Sequence, residues 1–421
     1  MKYHTKNKEE YFMFFDIFKS KMKNCSSMQF SNQQLDEIRK GKEAGVDISI
    51  YAYQQIGPYE MEAARKALIM GASPDCLSYL IKEYTDRNIE TYNLEDLIKN
   101  SIYVLDIDFL TTKYLPKEAP SETHKLFKSE ILYGAVFGDI AGSFYDFTLK
   151  SDERKGLNIN NCIVNGSSFT DDTILTCATA ITIGNNTIKK EQRRPAISDY
   201  NRNSCYPFLN NPFKSEYREK TLKYPGNGYG TNFYEWAIYN CDCPYGSFGN
   251  GSAMRISPIG AKFEKVKDVI IYAIASASVT HNHPEGIKGA VVTAVIIWLA
   301  RNGYSKEQIF AYMKNYYINT HGFVHFSLDE LKHPIYPLKS DSTCMFAVPA
   351  AVICFYNANS YEETIDNVLS FNGNSDTIAT IAGSIAAAYY GIPKMVIDKV
   401  NEYKPEGIFD EALSALEKEE P

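Results

Sequence analysis

Asn372-Gly373-Asn374-Ser375-Asp376-Thr377 runs directly into IATIAGSIAAAYYG, residues 378–391. Nearly every position after Thr377 is apolar or small. That pattern predicts a helix from Thr377 to Tyr390 that is buried all round. The alanines and glycine from Ala379 to Tyr390 let neighbouring backbones come close, which suits a central position. About two hundred residues earlier a similar cluster, Ser168-Phe169-Thr170-Asp171-Asp172-Thr173, precedes ILTCATAITI at residues 174–183. Each cluster offers hydroxyl and carboxylate or amide oxygens at adjacent positions, the ligand type that Mg2+ takes. Ser, Thr, Asp and Asn are also the favoured helix caps, so either cluster alone reads as a cap. Both together, one with paired aspartates, read as an oxygen-lined metal site if the fold brings them together. A helix N-terminus repels a cation, so such a site needs several carboxylates: Asp171, Asp172 and Asp376.

Working outward, helical periodicity recurs at Leu126–Val136, Thr173–Ile183, Lys267–Ser278, Ile287–Arg301, Lys306–Tyr317, Ala347–Tyr356, Tyr361–Leu369 and Glu411–Glu417. Alternating strand patterns are scarce. The expectation is an all-α fold, with a compact helical domain over residues 126–421. Pro116 to Ser121 reads as a linker. Ahead of it, LDEIRKGKEAGVDISIY from Leu35 and MEAARKALIMGASPDCL from Met61 superimpose with a period of 26 residues. Leu35 pairs with Met61, Arg39 with Arg65, Gly45 with Gly71 and Asp47 with Ser73. Each copy reads as a helix ended by Gly, a turn and a second short helix. A degenerate third copy is placed at Tyr92–Ile107. Small units of this kind bury their faces by stacking, so residues 1–120 are read as an α-helical repeat domain. Its expected use is docking to a protein partner or to the second domain; a packing extension is the equal alternative.

Bulk properties narrow the classes. The net charge of −7 leaves no basic footprint for nucleic acid. The longest apolar stretches, such as Ala290–Ala300, are too short to span a bilayer. Nine cysteines are scattered without a framework, and Cys241-x-Cys243 has no second pair for zinc. Buried free thiols and a cytoplasmic location are therefore expected.

Three further segments carry candidate chemistry. GAVFGDIAGSFYDF, residues 134–147, sets Asp139 and Asp146 around a Gly-rich break. PYGSFGNGSAMR, residues 244–255, is a Gly-rich loop whose N–H groups suit phosphates, with Phe248 available to stack on a ring. SVTHNHPEGIKGA, residues 278–290, puts His281 and His283 near a helix start. That pair is one ligand short of a zinc site and reads as structural or ligand-positioning.

In order, these segments resemble the ADP-ribosylglycohydrolase family over about Leu126 to Tyr403. The resemblance implies an all-α fold and a Mg2+-dependent hydrolase that cleaves the C1″ glycosidic bond of ADP-ribose on a protein side chain or small molecule. It implies two Mg2+ sites in a cleft, with Mn2+ able to substitute. Thr170, Asp171 and Asp172 match ligands of one ion, Asp376 a bridge and Thr377 a ligand of the second. Ser247, Phe248, Gly249 and Asn250 match the loop that holds the diphosphate and distal ribose, and His281 a ligand-contacting histidine. Asp146 and Asp172 take the acid–base roles. ADP-ribose, or an ADP-ribosylated protein, is the implied partner. Two positions depart from the family pattern. NGNSDT replaces G-G-D-x-D-T, so Asn374 stands at a metal-binding carboxylate and weakens one ion site. Asp146 stands where the family has Glu. The two departures motivate the alternative, a non-catalytic ADP-ribose or nucleotide binder with a partly degenerate metal site.

Overall fold

The computed structural model describes residues 30–69, 74, 77, 78, 81, 114–118, 120, 128–145, 154, 156–185, 211–317, 327–332 and 341–418. The chain forms two units, Met1–Lys99 and Asn100–Pro421. Among the described residues the regular structure is helical, and the one strand-like pairing is an antiparallel bridge between Gly249 and Thr343.

In the first unit, α1 (Asn32–Glu43) begins at a Ser31–Gln34 capping box. Gly45 takes φ 71° just past its end, and a short 3-10 turn follows at Ile48–Ile50. Helix α2 (Pro58–Ile69) packs on α1, and buried Glu37 of α1 accepts from Arg65 of α2 at 2.8 Å. The first 26-residue copy is thus helix, glycine turn and short helical turn. The end of the second copy at Gly71–Ser73 and the third copy lie outside the described residues.

The second unit contains α3 (Lys128–Ser143), α4 (Asp171–Asn185), α5 (Pro212–Lys223), α6 (Thr231–Ile238), α7 (Gly251–Met254), α8 (Ser257–Lys262) and α9 (Val266–Ser278). After them come α10 (Pro284–Arg301), α11 (Lys306–Tyr317), α12 (Leu328–Lys332), α13 (Cys344–Tyr356), α14 (Tyr361–Leu369), α15 (Ser375–Tyr390), α16 (Lys394–Tyr403) and α17 (Ile408–Glu417). Helix α15 is buried from Ser375 through Ala388, with α3, α10, α13 and α14 packed around it. Its small side chains make that central place available, as the sequence predicts.

The helix expected to end at Val136, α3, continues to Ser143, so it stops at the Gly-rich break between Asp139 and Asp146. Its glycines face α15. A Cβ on Gly134 would lie 2.7 Å from the Gly383 carbonyl oxygen, one on Gly138 2.7 Å from Thr380 N, and one on Gly142 2.5 Å from Asp376 Cα. Glycine costs a helix about 1 kcal/mol each in propensity; here backbone-to-backbone packing offsets that cost. The pairing of 134 with 383, 138 with 380 and 142 with 376 makes the two helices antiparallel. The C-terminus of α3 therefore meets the N-terminus of α15.

The thiol expectation needs one correction. Cys162, Cys177, Cys344 and Cys354 are free and buried, and Cys241 is free but exposed. Cys243, however, is disulfide-bonded. Cysteine spacing alone does not reveal such a pairing. No helix among the described residues is long and apolar enough to cross a membrane.

Candidate metal centre

The two acidic clusters converge. Asp171 and Asp172 occupy the first turn of α4, and Asp376 the first turn of α15. Thr377 Oγ1 donates to Asp172 Oδ2 at 3.1 Å and so joins the two helix starts. Asp139 of α3 completes the group: oxygens of Asp139, Asp172 and Asp376 lie within 4.8 Å of one another, all three side chains buried.

The three acids are held differently. Asp139 is fully buried and acts as a cap for α4 from a neighbouring helix. Its Oδ1 accepts from Thr170 Oγ1 at 2.7 Å, and its Oδ2 accepts from Thr170 N, Thr173 N and Thr173 Oγ1 at 2.8, 3.1 and 2.5 Å. Burial raises its pKa, against the lowering effect of these donors. Thr170 also accepts from Asp172 N at 3.2 Å, so its hydroxyl fixes the turn that carries both aspartates. Asp172 Oδ1 is buried with no hydrogen-bond partner. Burial, followed by the carboxylates of Asp376, Asp139 and Asp171, pushes the Asp172 carboxyl well above the usual range. Three like charges this close and out of water cannot all persist without a counter-cation or a proton. An all-oxygen donor set with one orphaned carboxylate oxygen fits a hard divalent cation. Asp171 is partly exposed, its amide donating to the Asn227 carbonyl at 2.7 Å.

Asp376 Oδ1 accepts from Thr377 N at 2.7 Å and from Asn374 Nδ2 at 2.8 Å. Asn374 Oδ1 in turn accepts from Asn250 Nδ2 at 2.5 Å. A carboxylate can only accept, so the amide nitrogen of Asn374 must face Asp376 and its oxygen must face away. The amide that would have to serve as a ligand thus bridges the Gly-rich loop to the acidic cluster.

That loop is pinned from outside. Asn250 N donates to the Ser342 carbonyl at 2.7 Å, Cys344 N to the Phe248 carbonyl at 3.0 Å, and Cys344 Sγ to the Gly249 carbonyl at 3.0 Å. Ser247 Oγ accepts from Gly249 N at 3.1 Å. Phe248 is exposed, edge-on to the His283 ring at 5.3 Å. His281 is buried below the loop; its Nδ1 pairs with Thr280 Oγ1 at 2.7 Å, and a Cβ on Gly251 would lie 3.2 Å from its Nε2. Burial, with a smaller effect of Arg255, holds the His281 pKa well below its usual value, so the imidazole is neutral. His283 caps α10 by accepting Glu285 N at 3.2 Å, the structural role its spacing suggested. Asp146 lies outside the described residues.

Two residues at the site carry no expected role in the sequence reading. Asp139 is the third carboxylate, and its signal was a lone aspartate inside the apolar run GAVFGDIAG. Arg154 is buried between α3 and α15. Its Nη1 donates to Ser375 Oγ and the Phe371 carbonyl, both at 2.8 Å, and its Nη2 to the Tyr145 carbonyl at 2.5 Å. Nothing in its sequence neighbourhood marks it.

The chain is similar to known proteins over part of its length. ADP-ribosylhydrolase ARH3 of Bos taurus is 30% identical over 189 residues, 36% of this chain and 52% of that protein. ARH3 of Homo sapiens is 29% identical over the same length, again 36% and 52%. ADP-ribosylarginine hydrolase Tri1 of Pseudomonas putida (strain GB-1) is 25% identical over 154 residues, 35% of this chain and 40% of that one. The chain thus spans about half the length of the ARH3 relatives. A solved structure titled "ADP-ribosylglycohydrolase-related protein complex" has a TM-score of 0.47 and 19% identity, covering 69% of this chain and 97% of that one. Residues 129–420 match the family model described as ADP-ribosylglycohydrolase. With more than half its length matched and its acids gathered at two converging helix starts, the chain belongs to the ADP-ribosylglycohydrolase family.

Proposed function

We propose that the chain is a Mg2+-dependent hydrolase that cleaves the C1″ glycosidic bond of ADP-ribose carried on a protein side chain or a related small molecule. The observation that carries this reading is the buried Asp139–Asp172–Asp376 group with its orphaned Asp172 Oδ1. The three buried carboxylates carry a charge of −3, and two converging helix N-termini return about half a positive charge each. The remainder on the buried groups, about −2, matches one divalent cation, with partly exposed Asp171 adding to the negative charge beside it. A carboxylate in place of Asn374 would add a further charge for a second ion. The amide does not, and its oxygen already accepts from Asn250. Two sites, one strong and one weakened, follow, with Mn2+ able to substitute for Mg2+.

Thr170, Asp171, Asp172, Asp376 and Thr377 would hold the ions, with Asn374 as the weak ligand. A bound divalent cation supplies Lewis acidity and lowers the pKa of a coordinated water. The remaining work belongs to the chain's own groups. Asp172 keeps its assigned acid–base role at Oδ2, which accepts from Thr377 Oγ1, while Oδ1 is left to face the ion. Asp146 is assigned the companion acid–base role, and its shortness relative to Glu implies a slow reaction. The Ser247–Asn250 loop is held against residues 342–344; the amides of Gly249 and Asn250 are spent on Ser247 Oγ and the Ser342 carbonyl, so the amides of Ser247 and Phe248 are the ones that would meet a diphosphate. Phe248 offers an exposed aromatic face to a ribose or adenine, and neutral His281 supports the loop from below. The repeat unit is assigned to docking of a protein substrate or partner.

The test is incubation with ADP-ribosylated arginine and serine peptides plus Mg2+, with free ADP-ribose as the readout. Release that stops with a chelator supports the hydrolase. Tight ADP-ribose binding without release from either linkage favours the second reading, a non-catalytic binder, which Asn374 and Asp146 motivate.

A further inference from the structure

We propose that Arg154 is a positioning residue that sets the geometry of the acidic cluster by clamping the C-terminus of α3 to the N-terminus of α15. The inference rests on the metal-site reading above. Arg154 is 2% exposed. Its guanidinium reaches three acceptors from two directions. On the α3 side it takes the carbonyl of Tyr145, two residues past the last helical position. On the α15 side it takes the Ser375 hydroxyl and the Phe371 carbonyl. Ser375 is the residue directly before Asp376, and Tyr145 directly precedes Asp146 in sequence. One planar cation therefore anchors the chain within one residue of both candidate acids.

Physical chemistry favours an arginine here. The last carbonyls of a helix have no intrahelical partner and attract a cation. The guanidinium offers several N–H donors in a fixed fork, so it can serve both helices at once. Gly142 brings the backbones of α3 and α15 together at Ser375 and Asp376, but sterics alone leave sliding and rotation free. Directional hydrogen bonds to both sides remove that freedom. Lysine, with a compact ammonium on a flexible stem, cannot hold both sides with the same geometry.

The experiment compares Mn2+ binding, by calorimetry and by the electron paramagnetic resonance line shape of bound Mn2+, in the full chain and in Arg154→Ala, Arg154→Lys and Ser375→Ala. Thermal midpoints are recorded in parallel. Charge-assisted hydrogen bonds of this kind correspond to about tenfold or more in an equilibrium constant. Arg154→Ala is expected to weaken Mn2+ by about that factor with an altered line shape, and Arg154→Lys to recover part of it. Ser375→Ala, which removes the acceptor beside Asp376 and the hydroxyl's donation to the Gly373 carbonyl at 3.3 Å, is expected to weaken Mn2+ by about threefold with little change in midpoint. If Arg154→Ala does not fold, the Lys and Ser375 variants decide. Lower midpoints with unaltered Mn2+ affinity and line shape in the folded variants would make Arg154 a stability residue only and overturn the proposal. Failure of the unaltered chain to bind Mn2+ overturns the metal-site reading and the proposal with it.

Discussion

Gly142→Ala probes the link between helix packing and the metal centre. The new Cβ would lie 2.5 Å from Asp376 Cα and close to Asp376 N and the Ser375 carbonyl oxygen. Carbon atoms pack at about 3.5 Å or more, so the helices must part by about 1 Å at this point. None of the three obstructing atoms belongs to a side chain that could swing away. Overpacking of this kind costs about 1–3 kcal/mol, against about 1 kcal/mol gained in helix propensity. The net loss of stability is modest. The functional loss should be larger, because the displacement falls on Asp376 itself and moves Asp139 on the opposite helix. A shift of about 1 Å in a ligand or catalytic group can cost on the order of 10²-fold. The assay pairs calorimetric Mn2+ titration with thermal unfolding. Gly184→Ala is the control: a Cβ there would lie 2.6 Å from Ala415 Cβ and 2.5 Å from the Ala415 carbonyl oxygen, where α4 meets α17 and away from the acids. Both variants should lose stability, and only Gly142→Ala should lose Mn2+ affinity. Equal affinity in Gly142→Ala and the unaltered chain, or equal weakening in both variants, would refute the reasoning.

Other expectations follow from the same geometry. Asn374→Asp should tighten the second ion by about tenfold or more, since it adds a buried unit charge beside Asp376; two ions of equal affinity in the unaltered chain would contradict this. Phe248→Ala should weaken ADP-ribose binding by about 1–3 kcal/mol, the usual loss of an aromatic stacking face, and an unchanged calorimetric titration would remove Phe248 from the site. The raised Asp172 pKa gives a pH dependence with a definite sign. A carboxyl whose folded pKa exceeds its unfolded value of about 3.9 contributes stability that is lost as pH rises through the folded value. In chelator, this group therefore lowers the thermal midpoint as pH rises above about 4, and the gain in midpoint on adding Mn2+ should grow with rising pH. A gain independent of pH, or one that persists in Asp172→Asn, would contradict that assignment.

The sequence carried the periodic helices well. The segments expected at Lys306–Tyr317 and Tyr361–Leu369 have those bounds, and the others shift by three residues or fewer at their ends, except the first, which runs on from Val136 to Ser143. It was less informative where three-dimensional packing overrides local preference. The helix was expected to stop at Val136 because glycine disfavours helix; Gly138 and Gly142 are helical because a neighbouring backbone occupies the space a side chain would take. Helix α5 at Pro212–Lys223 is polar over most of its length, so its apolar stripe was too thin to register. At the site, both acidic clusters were visible because each precedes a long apolar run. Asp139 was seen as a residue but not as a partner, since its role depends on α3 lying antiparallel to α15. The Arg154–Phe371 and Asn250–Asn374 hydrogen bonds are contacts across more than a hundred residues, which no spacing encodes.

The most direct test of the central claim is anomalous scattering from a Mn2+-soaked crystal of the full chain. The account expects a fully occupied peak at about 2.0–2.6 Å from Asp172 Oδ1 and a carboxylate oxygen of Asp376, with a weaker second peak beside Thr377 and Asn374. No peak among Asp139, Asp172 and Asp376, or a peak elsewhere in the chain only, would contradict it.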